Sequence, residues 1–204
     1  MLPDDTYKTI SAESKGSYKE KGSKFLAFAF PVISEAEVRE KLSRLRKEYH
    51  DARHHCYAYR LGFDKSVFRI NDDGEPSGTA GRPIYGQIVS HDLTQVMIVV
   101  IRYFGGIKLG VPGLINAYKT SSKDAIDNAS IITKIIQEEY QVRFEYTVMN
   151  SVMKILKEED AVILSQKFDN ACILDFSIRK TSGDKILNRL QKISNVSVSL
   201  QMIY

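Results

Sequence analysis

Residues 95–114 read Gln-Val-Met-Ile-Val-Val-Ile-Arg-Tyr-Phe-Gly-Gly-Ile-Lys-Leu-Gly-Val-Pro-Gly-Leu, and their order decides the fold of the first two thirds of the chain. Gln95 to Phe104 is the most apolar, β-branched run in the sequence, which predicts a central strand buried on both faces. It stops at Gly105-Gly106. A helix is expected to begin near Val111-Pro112-Gly113, because proline is tolerated in a first helical turn and Leu114, Ile115, Tyr118, Ala125, Ile126 and Ala129 form an apolar stripe behind it. A buried strand, paired glycines, Lys108 and a helix start are the parts of an anion site: a backbone that can approach closely, a cation, and unpaired N–H groups. The same glycines suit a tight turn against a neighbouring element, and both readings stay open. The run is not a P-loop, since no Gly-Lys-Ser/Thr follows, nor a dinucleotide fingerprint, since its glycines fall at 105, 106, 110 and 113.

Upstream, Cys56–Leu61 and Ser66–Ile70 predict two strands joined at Gly62, then the loop Asn71-Asp72-Asp73-Gly74-Glu75-Pro76-Ser77-Gly78-Thr79-Ala80-Gly81 and a short helix from about Pro83 to Ser90. Asp72, Asp73 and Glu75 put three carboxylates in four positions, a grouping that could hold magnesium or act as a base. The spacing is not that of an EF-hand, and the glycines and proline are equally what a long ordered loop requires, so no metal is expected. In Arg53-His54-His55-Cys56, alternate strand residues face opposite ways; His54 and Cys56 share a face and His55 cannot join them in a chelate. Cys56 is expected to be a packed thiol rather than a nucleophile. Tyr57, Tyr59, Tyr103 and Phe104 fit either base-stacking platforms or core positions, and exposure separates the two. Towards the N-terminus, Tyr7–Ser11 and Lys24–Val32 read as strands, with a hairpin there, and Ser34 stands as N-cap to a helix over 35–50.

Downstream, a polar-to-apolar change over Ser130–Gln137 predicts a boundary, dividing the chain into 1–133 and 134–204. Beyond it, Glu139–Tyr146, Ala161–Phe168, Ala171–Ile178 and Val196–Met202 read as strands. Thr147 caps a helix to about Glu158, Gly183–Ile193 is a second helix, and Asp169-Asn170 makes a hairpin turn. That β-α-β-β-α-β order is the ferredoxin-like split βαβ arrangement. The chain's 204 residues are 43% hydrophobic and 26% charged, a globular composition long enough for two modest domains. Nine of its 29 Lys and Arg and nine of its 25 Asp and Glu fall in residues 136–204, so the whole excess of positive charge lies in the first part. A mildly basic N-terminal domain suits phosphates or an acidic partner. Two cysteines in apolar runs, no long apolar segment and no signal-peptide layout predict a cytoplasmic protein with no disulfide and no membrane partner.

Three stretches taken in order, His54-His55-Cys56-Tyr57-Ala58-Tyr59-Arg60, Asp72 to Gly81, and Arg102 to Gly110 with Gly113-Leu114, resemble the Impact/YigZ family. The resemblance implies an α+β chain of two domains. The first would be folded like the second domain of a small-subunit ribosomal protein and like domain four of elongation factor G; the second would be ferredoxin-like. It implies regulation of translation; the expected partners are RNA or the ribosome, and a translation factor or other protein. The resemblance does not extend to the additional N-terminal domain of eukaryotic relatives, so the partner that domain engages is not carried over. No catalytic residue and no cofactor is implied. The expected contact set for RNA is Arg102, Gly105, Gly106, Lys108 and Gly110, supported by Arg53, Arg60 and Arg82; His54, His55, Asp72, Asp73 and Glu75 mark a second functional loop. The alternative is a hydrolase or phosphoryl-transfer enzyme using that acidic loop and the His-His-Cys strand.

Overall fold

A computed structural model describes residues 5–169 and 171–204. They form two compact units: Tyr7–Thr133, and Lys134–Tyr204 with the N-terminal residues through Thr6. The first runs β1 (Thr6–Ile10), β2 (Ser14–Glu20), β3 (Ser23–Pro31), α1 (Glu35–Glu48), β4 (His54–Leu61), β5 (Val67–Asn71), α2 (Gly81–Ser90), β6 (Val96–Tyr103) and α3 (Gly110–Asp127), leading into β7 (Ile131–Ile135). Its antiparallel sheet has the order β2-β3-β6-β4-β5. β6 lies in the middle because it is apolar on both faces. Val96, Ile98 and Val100 join a core with Ile84 and Ile88 of α2 and Leu114, Ala117 and Tyr118 of α3, while Met97, Val99 and Ile101 join a second core with Val38 and Leu45 of α1. Each of these fully buried aliphatic side chains stabilises the fold by roughly 1.5–3 kcal/mol. α1 begins where Ser34 accepts the Glu37 N–H, and Glu37 in turn accepts from the N–H of Ile33.

The expected N-terminal hairpin has a different partner. β3 folds back on β2, and β1 pairs with β7 instead. β2, Ser-Lys-Gly-Ser-Tyr-Lys-Glu, carries no apolar alternation because it is an edge strand that α3 crosses closely. A Cβ at Gly16 would stand 2.2 Å from the Ala125 nitrogen. β7 falls inside the window read from sequence as a boundary.

The second unit contains β8 (Gln137–Phe144), a 3-10 turn at Tyr146–Val148, α4 (Met149–Glu158), β9 (Val162–Phe168), β10 (Cys172–Arg179), α5 (Lys180–Leu190) and β11 (Ser197–Ile203). The antiparallel order β11-β8-β10-β9 is ferredoxin-like, and Val152, Leu156, Ile186 and Leu190 of the two helices pack with Tyr140, Val142, Leu174 and Phe176 of the sheet. Thr147 sits in the 3-10 turn rather than capping α4, whose N-cap position is Val148. Of the expected β9–β10 turn residues, Asn170 lies outside the described residues. Asp5 belongs to this unit. Its buried carboxylate accepts from the Arg179 guanidinium and, at 2.7 Å, from the Thr181 hydroxyl, and the Arg179 contact holds its pKa at about 2 despite burial. The chain is thus a two-domain α+β protein, and among the described residues no helix is long and apolar enough to cross a membrane.

Candidate nucleic-acid interface

The acidic loop turns its polar groups on itself and on its neighbours. Asp72 accepts backbone N–H groups from Gly78 (2.8 Å), Ala80 (3.0 Å) and Gly81 (2.8 Å), so its carboxylate sits on the first turn of α2. Asp73 accepts the His55 N–H at 2.6 Å and a guanidinium N–H of Arg46 at 3.1 Å, and its carbonyl stands 2.9 Å from Nδ1 of His54. Glu75 turns inward. Its Oε1 accepts from Arg102 at 2.6 Å and from the Tyr118 hydroxyl at 2.8 Å, and the Glu75 and Arg102 side chains are 3% and 8% exposed. The Cys56 thiol, 3.0 Å from the Asp72 carbonyl and 3.3 Å from the Tyr118 hydroxyl, is pushed far above its ordinary pKa, chiefly by burial. It is a packed thiol with no thiolate to offer.

At the end of the sheet where β4 begins and β6 finishes, a cleft of about 710 Å³ opens between the Asp51–His54 turn, Glu75-Pro76 and the segment Arg102–Leu114. His54 and Arg102 are register partners there. The Arg102 guanidinium stands over the rings of Phe25 and Phe104, 5.5 and 5.6 Å from their centroids, and its buried Nε has no hydrogen-bond partner among the described residues. Phe104 is 57% exposed. Arg53 and Lys108 line the cleft as exposed cations, and Asp51, which accepts from the Tyr103 hydroxyl at 2.7 Å, lines it as an exposed anion. The first turn of α3 closes one side through Leu109, Gly110 and Val111. Among the described residues no side chain accepts their N–H groups, and Pro112 has none.

A family model described as the Impact N-terminal domain matches residues 21–126, a span that contains every residue of the cleft. The chain belongs to the IMPACT family. It is 31% identical to IMPACT family member YvyE of Bacillus subtilis (strain 168), over 78% of this chain and 73% of that protein. It is 29% identical to IMPACT family member YigZ of Escherichia coli (strain K12), over 90% of this chain and 91% of that one. A crystal structure titled as that of a hypothetical protein superposes with a TM-score of 0.71 at 27% identity, covering 98% of both chains.

In this IMPACT family chain, the residues read from sequence as one contact set are divided by the fold. Arg102, Lys108 and Gly110 line the cleft, as do Arg53, His54 and Glu75. Arg102 is not a free cation, because Glu75 neutralises it. Gly105 donates its N–H to the Ser23 hydroxyl, and a Cβ there would lie 1.9 Å from the Gly22 carbonyl carbon, so this glycine serves close packing rather than a ligand. Gly106 makes the turn at φ +90° with open space around it. Arg60 is removed from the site: it pairs with Val96 at the far end of β4, six residues from His54, and donates to the Leu93 carbonyl. Arg82 is exposed on the first turn of α2 and does not line the cleft. His55 is buried on the α1 side, where desolvation pulls its pKa below the ordinary histidine value. Of the four aromatics, Tyr57 and Tyr59 are core residues, Tyr103 is half-buried and Phe104 is open. Sequence reasoning missed Asp51, Val111 and the pairing of Glu75 with Arg102, which tertiary packing rather than any local pattern brings to one cleft.

Proposed function

We propose that the chain binds RNA through this cleft, in a translation-linked regulatory role that its IMPACT family membership supports. The observation that carries the reading is a juxtaposition: Lys108 and Arg53 in solvent, an exposed Phe104, and an α3 first turn left without a side-chain cap, all on one concavity. Phosphates suit the cations and the helix start, and bases suit the aromatic ring. The cleft's own polar groups favour binding over catalysis, since Glu75 is held by Arg102 and Tyr118, and His54 by the Asp73 carbonyl. On this reading the RNA partner belongs to the ribosome or its factors.

Titration of labelled single-stranded RNA at two salt concentrations tests it. Wild type binds at low salt, and Lys108→Ala weakens binding across unrelated sequences while lowering the salt slope by roughly 0.7 to 1. Absence of binding by wild type at low salt, or equal affinity and slope for both proteins, overturns the assignment.

A further inference from the structure

We propose that the cleft takes one unpaired nucleotide as a unit, its phosphate at the first turn of α3 beside Lys108 and its base against Phe104. This deepens the RNA reading and rests on it. Three observations converge. The volume, about 710 Å³, falls in the range of roughly 300–1,000 Å³ typical of small-ligand sites, room for a single nucleotide.

The phosphate end is defined by groups that the protein leaves unused. Among the described residues the N–H groups of Leu109, Gly110 and Val111 meet no side-chain acceptor, and Arg102, more than nine-tenths buried in the cleft wall and held by Glu75 through one guanidinium nitrogen, keeps a buried Nε that makes no hydrogen bond. α2 supplies the internal comparison: Asp72 occupies its first turn with a carboxylate of the chain itself. α3 starts without such a carboxylate, and Lys108 stands in the loop immediately before it.

The base end is defined by Phe104. Phe104 is 57% exposed at the cleft, and the Arg102 guanidinium stands 5.6 Å from its ring centroid. A flat heterocycle stacks on such a ring whatever its sequence identity. Asp51, the one exposed carboxylate of the wall, accepts from Tyr103.

Competition by uridine 5′-monophosphate, uridine and inorganic phosphate against labelled single-stranded RNA decides the matter, using the full chain with circular dichroism to confirm that each variant is folded. At roughly millimolar concentration the monophosphate displaces RNA, whereas uridine and inorganic phosphate each compete about tenfold less well. Phe104→Ala weakens the monophosphate by about tenfold and leaves inorganic phosphate unchanged; Lys108→Ala weakens both. RNA binding that the monophosphate cannot displace, or that Phe104→Ala leaves unaltered, overturns the nucleotide unit while the RNA reading stands. Absence of RNA binding by wild type at low salt overturns both.

Discussion

The loops Asn71–Gly81 and Phe104–Gly110 are built from similar parts: glycines, charged residues, and a helix N-terminus at the downstream end. In the first, Asp72 fills the start of α2, Asp73 ties β4 to α1 through His55 and Arg46, and Glu75 neutralises the buried Arg102. In the second, α3 starts without a side-chain acceptor, Lys108 reaches solvent and Phe104 lies open beside the cleft. Charge density in sequence therefore says little about availability. The loop with more ionisable groups is the one whose groups hold the structure together, and the loop with a single lysine is the one facing outward.

If that contrast is right, damage to the first loop falls on stability. Glu75→Ala leaves the Arg102 guanidinium buried and unpaired, and removes the acceptor of the Tyr118 hydroxyl; the expected loss is about 3–5 kcal/mol. Glu75→Gln, which keeps an acceptor, loses less. Urea unfolding followed by tyrosine fluorescence measures both, and a loss from Glu75→Ala within about 1 kcal/mol would break the comparison at its centre. Next in size is Asp72→Ala. It strips the carboxylate from three backbone N–H groups and the α2 start, an expected cost of about 2–3 kcal/mol, with Asp72→Asn milder.

These side chains also mark what could be read from sequence. β6 was legible because a strand covered by helices on both faces must be apolar throughout, and the ferredoxin-like order was legible because its alternating strands and helices follow one another without interruption. β2 was not, since an edge strand crossed closely at Gly16 carries polar residues and no apolar period. Within the cleft, Lys108 and Gly110 could be placed from the loop alone. Arg60 was misplaced because it shares the eight-residue strand β4 with His54, which lines the cleft, while its own position is at the other end. The Glu75–Arg102 pair, 27 residues apart, follows from tertiary packing that no local pattern encodes.

A smaller effect follows from pH. His55 titrates below the ordinary histidine value because burial disfavours its charged form; Arg46 and His54 act in the same direction, and Asp73 opposes them. The unfolded chain therefore takes up the proton first. Stability is fully present above the ordinary histidine pKa of about 6.5 and falls as pH drops through it, levelling off below the depressed folded value. His55→Gln should flatten that part of the profile relative to wild type when unfolding midpoints are followed through mildly acid pH. An unchanged slope would mean that the Asp73–His55 corner is not where the first loop senses protons.

The smallest expected change in stability is in the second loop, and its smallness is the sharpest test of the contrast. Lys108 is exposed and takes part in no hydrogen bond or ion pair among the described residues, and Phe104 is 57% exposed with one cationic neighbour in Arg102. Truncating either to alanine removes little buried surface and leaves no buried polar group newly without a partner, so each unfolding midpoint should stay within about 0.5 kcal/mol of wild type. Measured under the same urea conditions as Glu75→Ala and Asp72→Ala, the four variants should separate by loop rather than by charge removed. If Lys108→Ala instead cost as much as Asp72→Ala, the lysine would be a structural element of the α3 start, and the cleft would lose the cation on which its phosphate end depends.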